Sequence, residues 1–187
     1  MHYPTDVVHL GVKCRIMKKI TAKKKPVGYK TNAAMVILRH GSSYLLLKRN
    51  KEPFIGHYVP VGGKVEAHET PIKAAIRETF EETGFTIENP KFCGVLVESS
   101  PAKYNWTVFI YLADIPKVPP PFCPEGTLEW IAHEDLWTVP TPETDAQVYK
   151  YVVENKPFMF NAEYDSTIHL LKMVEEIEDI IVFEKKV

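Results

Sequence analysis

Residues 8–17 alternate between apolar and polar, with Leu10, Val12, Cys14 and Ile16 on one side, and this period of two predicts a strand. Two further β-compatible runs, 32–38 and 43–49, flank Arg39, His40, Gly41 and Ser42 and predict a hairpin. From 50 to 61 the pattern breaks into a loop holding Phe54, Gly56, His57, Tyr58 and Pro60. The period then changes to that of a helix. Thr70 and Pro71 suit its N-cap and first turn, because a hydroxyl accepts an orphan backbone N–H and proline has none to orphan. Gly84 marks its end.

Beyond that helix, 91–97 and 106–113 read as strands. The proline-rich segment 116–124 reads as a loop, since proline cannot sit inside a sheet. A short strand at 126–131 and a helical turn at 134–137 follow. Residues 143–155 have helical spacing through Val148, Tyr151 and Val152, 158–164 alternate like a strand, and 167–173 pair beside it. The charged tail from 175 onward fits no single period and reads as prone to fraying. This order of elements predicts an α/β (α+β) fold with a mixed, curved sheet between helices.

The densest chemistry lies in the stretch from Gly62 to Phe85, GGKVEAHETPIKAAIRETFEETGF. On a helical wheel Glu78, Glu81 and Glu82 share one side at i, i+3 and i+4, with Ala74 leaving room beside them. Ile72, Ala75, Ile76 and Phe80 fall on the other side as a core stripe. Like charges so arranged destabilise a helix, so the acidic side calls for a cation; a solvated charged face is the plain alternative. Oxygen donors of this kind suit Mg²⁺ or Mn²⁺, with waters and phosphates completing the shell. Gly62 and Gly63 permit close backbone approach, so a carbonyl or amide there reaches the same cluster.

Gly63, five residues, Glu69, seven residues, then Arg77, Glu78, Thr79, Phe80, Glu81, Glu82, Thr83, Gly84 and Phe85 resemble the Nudix box, G-x5-E-x7-R-E-U-x-E-E-x-G-U. Thr79 is a departure, standing where the pattern has a bulky aliphatic. The wheel sets it on the core side, so it bears on packing. The resemblance implies a Nudix hydrolase, which cleaves a nucleoside diphosphate linked to another moiety. It assigns Glu78, Glu81 and Glu82 as metal ligands, with Glu78 or a neighbour assisting deprotonation of water. Arg77 then orients carboxylates, Glu69 and Gly84 are structural, and the Gly63 carbonyl completes the metal shell. Glu125, in PEGTLEW, is the expected further acidic ligand in preference to Glu129, read as a solvent-facing loop carboxylate. Lys64, Arg49 and Tyr58 are candidate substrate contacts. Lys48 and Arg49 face either phosphates or solvent.

Composition sets the bounds. The chain has 187 residues with formal net charge -1, enough for one domain and without bulk attraction for nucleic acid. The basic stretch 18–25 reads as a solvated loop. Cys14, Cys93 and Cys123 are odd in number and far apart, which suits free thiols better than disulfides or zinc. The first residues lack a signal-peptide layout, and no run reaches the ~18 apolar residues of a membrane span, so a cytoplasmic protein is expected, monomeric or homodimeric. A single domain over 1–187 is expected, with an N-terminal strand extension at about 1–30 and a C-terminal helix and strand segment at about 143–187.

Substrate identity is read outside the box. VPVGGKVE, EGTLEW and the segment TPETDAQVYKYVVENKPFMFNAEYD resemble nucleoside triphosphate pyrophosphohydrolases that clear oxidised guanine nucleotides such as 8-oxo-dGTP. In these an acidic pair near the last helix reads the base edge. Glu143 and Asp145 are the nearest equivalents, or else ordinary first-turn acids. Some such enzymes have an asparagine where this chain has Val59. CTP, ADP-ribose and nucleotide sugars remain alternative substrates. A nucleotide-sensing module without turnover is the reading from another class, and the intact glutamate set favours the enzyme.

Overall fold

A computed structural model describes residues 29–186. The first half of the sheet is β1 (Thr31–His40), β2 (Ser43–Arg49), β3 (Tyr58–Val59) and β4 (Val61–Lys64), followed by α1 (Pro71–Thr83). Next come β5 (Lys91–Ser99), β6 (Trp106–Asp114), β7 (Phe122–Cys123) and β8 (Gly126–Ala132), then α2 (Glu143–Val153). The chain closes with β9 (Phe158–Tyr164), β10 (Leu170–Glu175) and β11 (Ile180–Glu184). The strands form one mixed sheet in the order β11-β10-β9-β5-β6-β1-β2-β8-β7, with β3 on β2 and β4 on β1. The β1–β6 and β5–β9 pairs are parallel, the others antiparallel.

The fold's functional feature is a split in this sheet. β1 pairs with β2 only near their turn, Leu38 opposite Leu45. Its first half pairs instead with β4, Ala34 opposite Gly63, while the end of β2 pairs with β3, Leu47 opposite Val59. Pro60 joins β3 to β4 and has no N–H to continue a ladder, so the chain turns a corner there. The strands diverge around that corner and a cleft opens between them.

Alternation along β1 feeds two cores, one on each face. Ala34, Val36 and Leu38 pack with Leu45, Leu47 and the α1 residues Ala74 and Ala75. Ala33 and Ile37 pack on the other face with Val148, Tyr149 and Val152 of α2 and with Phe158 and Phe160.

Several expectations change here. Helix α1 buries Ala74, Ala75, Thr79, Glu82 and Thr83, while Ile72 and Phe80 are exposed, Phe80 by 57%. Of the apolar stripe expected through Ile72, Ala75, Ile76 and Phe80, Ala75 is buried and Ile76 packs against the core, while Ile72 and Phe80 face out. Small side chains let the helix sit close to β1 and β4, and close packing gains more than two large residues would at a distance. Thr79 is fully buried, and its hydroxyl donates to the Ala75 carbonyl at 2.7 Å, so the departure from the box pattern is satisfied within the helix. Thr70 is the N-cap residue, but its side chain makes no capping bond. Gly84 closes the helix at φ 73°, its N–H on Phe80 O at 2.8 Å.

The loop expected at 50–61 contains β3 and the start of β4, and the loop expected at 116–124 contains β7, an edge strand where proline neighbours are tolerated. The segment 134–137 is a hydrogen-bonded turn, Leu136 N–H to Ala132 O at 3.1 Å. The tail read as prone to fraying ends in a hairpin, Met173 opposite Phe183. The strand expected at 8–17 and the basic stretch 18–25 lie outside the described residues. No helix among those described is long and apolar enough to cross a membrane.

Candidate active site

The cleft is a cavity of about 490 Å³ with two chemically different ends. One end is acidic and glycine-lined, with Gly62, Gly63 and Lys64 of β4, Glu78 and Glu82 of α1, and Glu125 in the turn before β8. The other holds Glu98, Tyr104, Trp106, Thr144 and Asp145, with Phe54 from the β2–β3 loop.

At the acidic end the glycine pair sets the spacing. Gly62 has φ 145°, and a Cβ there would meet the Ala34 carbonyl oxygen at 2.2 Å, so only glycine fits. Its N–H donates to Glu82 Oε2 at 3.0 Å. At Gly63 a Cβ would fall 2.4 Å from the Glu78 carboxyl carbon, so the carboxylate occupies the space a side chain would fill. Glu82 is only 7% exposed. Burial pushes its carboxyl up to about 7, helped by the charges of Glu125 and Glu78 and opposed by the Gly62 amide and Arg49. Glu78, Glu82 and Glu125 thus line one end of the cavity, where their mutual repulsion calls for positive charge.

Arg77 supplies part of it from outside. Its Nε and Nη2 hold the two oxygens of Glu69 at 3.0 and 2.8 Å, Nη2 also reaches the Lys64 carbonyl at 3.0 Å, and Nη1 holds Glu78 at 2.8 Å and Glu81 at 3.2 Å. The bonds to Glu69 and then Glu78 raise the guanidinium pKa and hold Glu69 below the usual carboxylate range. The helix is thereby tied to the loop after β4.

Glu81 differs from expectation. Successive residues turn by about 100°, so Glu82 rotates inward and Glu81 outward on either side of Glu78. The Glu81 side chain is 56% exposed on Arg77 and does not line the cavity. Among the described residues no three acidic, histidine or cysteine side chains are already gathered in ligating geometry. Glu78, Glu82 and Glu125 nevertheless suit a hard divalent cation in donor type and charge, with the Gly63 backbone beside Glu78. Glu125 meanwhile pairs with Lys51 at 2.8 Å.

At the other end, Asp145 is only 8% exposed. Among the described residues no donor hydrogen-bonds its carboxyl, and no side-chain polar atom sealed from solvent lacks a partner, so its oxygens open onto the cavity. Burial pushes it up to about 8, the Glu98 charge adds to this, and Arg49 opposes it. Arg49 stands between the two ends, its charge felt by both Glu82 and Asp145, with Nε on the Pro53 carbonyl at 3.0 Å. Of the two outcomes open for it at the sequence level, the cavity is the observed one.

Other candidates fall elsewhere. Tyr58 is buried in the core against α2, its hydroxyl donates to Glu129 at 2.8 Å, and it does not line the cavity, so it is corrected to a packing residue. Glu129 is accordingly a part-buried strand residue and not a solvent-facing loop carboxylate. Glu143 begins α2 but is exposed and off the cavity; Thr144, one residue on, takes its place. Glu98, Tyr104 and Thr144 were not singled out from sequence. Glu98 sits within a strand-like run, and no local pattern distinguishes its inward-facing carboxyl from a solvated one.

Comparison with known proteins agrees with this geometry. The NUDIX domain family profile matches residues 28–155. The Nudix hydrolase YvcI of Bacillus subtilis (strain 168) is 28% identical over 125 residues, covering 64% of this chain and 77% of that protein. A MutT protein from Bacillus halodurans superposes with TM-score 0.70 at 25% identity, covering 79% of this chain and 98% of that one. A MutT Nudix hydrolase from Burkholderia pseudomallei gives 0.60 at 26% identity, covering 66% and 98%. With the box residues assembled on a split sheet and the profile spanning most of the chain, this protein belongs to the Nudix hydrolase family, whose members act on phosphoric anhydride bonds in nucleotide derivatives.

Proposed function

We propose that this protein is a Mg²⁺-dependent pyrophosphohydrolase that cleaves a nucleoside triphosphate, of the oxidised-purine type exemplified by 8-oxo-dGTP, to the nucleoside monophosphate and pyrophosphate. The observation that carries this reading is the two-ended cavity: crowded carboxylates on Gly62 and Gly63 at one end, a buried carboxyl without a donor among aromatic rings at the other.

A phosphate chain suits the first end and a base the second. Glu78, Glu82 and Glu125 would hold a divalent cation, which would supply charge neutralisation on the phosphates and a lowered pKa for water. Arg77 keeps Glu78 and Glu69 in place, and Lys64 and Lys51 add positive charge at the mouth. Arg49, between the ends, is placed to meet phosphate oxygens. At the far end Phe54 and Trp106 offer apolar surface to a planar base, and the Asp145 carboxyl, carrying its proton, offers both a donor and an acceptor to a purine edge.

The test is a panel of purified-protein assays with Mg²⁺ against canonical and oxidised nucleoside triphosphates, CTP, ADP-ribose and nucleotide sugars, with phosphate products identified. Monophosphate plus pyrophosphate from an oxidised purine triphosphate is the expected outcome. Preferential cleavage of ADP-ribose or a nucleotide sugar would overturn the triphosphate reading while leaving the family's chemistry intact.

A further inference from the structure

Glu98 ends β5 at the base end of the cavity, only 4% exposed. Two tyrosine hydroxyls from separate parts of the chain converge on it, and a threonine hydroxyl backs one of them. Tyr104, in the β5–β6 loop, places its OH 3.1 Å from both carboxylate oxygens. Tyr164 of β9 donates at 2.7 Å, and its hydroxyl lies 3.2 Å from the Thr144 hydroxyl of α2. The Lys30 ammonium sits on the Glu98 carbonyl and the Ser99 hydroxyl, each at 2.8 Å. Burial pushes the Glu98 carboxyl up, and the hydroxyls and Lys30 pull it back. Glu98 thus has hydroxyl donors within reach, whereas no donor in the described residues bonds the Asp145 carboxyl.

The consequence reaches past Glu98 itself. Tyr104, held by its hydroxyl, sets its ring edge-on to Tyr164 at 5.4 Å, to Trp106 at 6.3 Å and to Phe54 at 6.3 Å. Phe54 stands at φ 71°, a conformation a bulky residue holds only when its surroundings fix it. The aromatic wall is thus tied through one ring to one buried carboxyl group, and Thr144, next to Asp145, is linked to the same group through Tyr164.

We propose that Glu98 is a positioning residue for base recognition: by holding the Tyr104 and Tyr164 hydroxyls, the second of which meets Thr144, it fixes the aromatic wall and the Asp145 carboxyl in the arrangement that discriminates the substrate's base. This rests on the assignment of that end of the cavity to the base. Glu98 and its hydroxyl partners make no hydrogen bond to Glu78, Glu82 or Glu125.

The test measures kcat/KM of the full chain with Mg²⁺ for dGTP and 8-oxo-dGTP against ribose 5-triphosphate, which has no base, used as substrate or as competitive inhibitor. In Glu98→Gln the preference for nucleotide over the base-less triphosphate falls about tenfold, the scale of lost hydrogen bonds to a charged group. A merely structural defect lowers the active fraction for all three alike and cancels in the ratio. Tyr104→Phe keeps the ring, removes the hydroxyl and shifts the ratio the same way, which keeps the test available if Glu98→Gln fails to fold. An unchanged ratio in the folded variants would overturn the proposal. Asp145→Ala separates the two levels: if it shifts the ratio and Glu98→Gln does not, only the positioning role is lost, whereas if it too leaves the ratio unchanged, the base assignment falls with it.

Discussion

The Glu82 carboxylate accepts the Gly62 amide at 3.0 Å, which pins the buried side of α1 to the first residue of the glycine pair. That single bond does not offset its burial beside Glu125 and Glu78, and the folded-state pKa rises to about 7 from an ordinary 4.5. Below about pH 4 the group is neutral folded or unfolded and costs nothing. As pH rises through about 7 the folded protein must ionise it in a dry, negative site, and stability is lost. Glu82→Gln therefore raises the thermal midpoint over wild type at about pH 8 and loses that advantage near pH 4, while abolishing most turnover. Thermal unfolding in chelator at both values checks this; an equal difference at both would contradict it.

The two glycines should respond differently to alanine. At Gly62 the added methyl strikes the Ala34 carbonyl, backbone that cannot yield, at a φ that disfavours side chains. Gly62→Ala is expected to cost about 2–4 kcal/mol, measured by denaturant unfolding. At Gly63 the methyl strikes the Glu78 carboxyl, the far end of a flexible side chain. Gly63→Ala should keep most stability and lose metal affinity instead, a contrast visible by comparing unfolding with Mn²⁺ titration.

Arg77→Lys retains the charge but not the planar fork that holds both Glu69 oxygens while reaching Glu78. Activity is expected to fall by roughly 10–100-fold, the usual cost of loosening a group behind a metal ligand. Circular dichroism should remain that of wild type. Full activity in the lysine variant would show that the fork does not matter.

Asp145 gives a pH signature of its own. Its folded pKa of about 8 lies above the ordinary 3.8, so its neutral form is favoured in the fold, and stability falls as pH rises from about 4 to 8. Asp145→Asn removes that slope and is more stable than wild type at about pH 8, by an amount that shrinks toward pH 4. It also alters the ranking of nucleotides more than Mg²⁺ affinity.

What is legible in the sequence is the part of the site whose spacing is local. The glutamates, Arg77, Glu69 and the glycines lie within one stretch, and their partners are set by helical geometry and one tight loop, so their grouping follows from counting residues. Glu82 turning inward and Glu81 outward was not evident, because both acidic and apolar faces were drawn on an isolated helix. The side that packs was settled by how closely Ala74, Ala75 and Thr79 approach β1 and β4. The far end of the cavity depends on tertiary contacts alone: Glu98, Tyr104, Thr144 and Tyr164 are scattered over β5, a loop, α2 and β9. Asp145 stands in the first turn of a helix within a segment resembling known enzymes, and Glu143 in the same turn is not separable from it without knowing which way that turn faces. Tyr58 was misplaced for the same reason, as a strand residue pointing into the core between loop neighbours that do reach the cavity.

The most direct measurement is Mn²⁺ binding to the full chain by electron paramagnetic resonance, for wild type and for Glu78→Gln with Glu82→Gln, alongside Mg²⁺-dependent turnover of the best nucleotide. The account predicts a bound ion in wild type, its loss in the double variant and loss of turnover with it. Equal binding and equal turnover in the two proteins would contradict the assignment of these carboxylates.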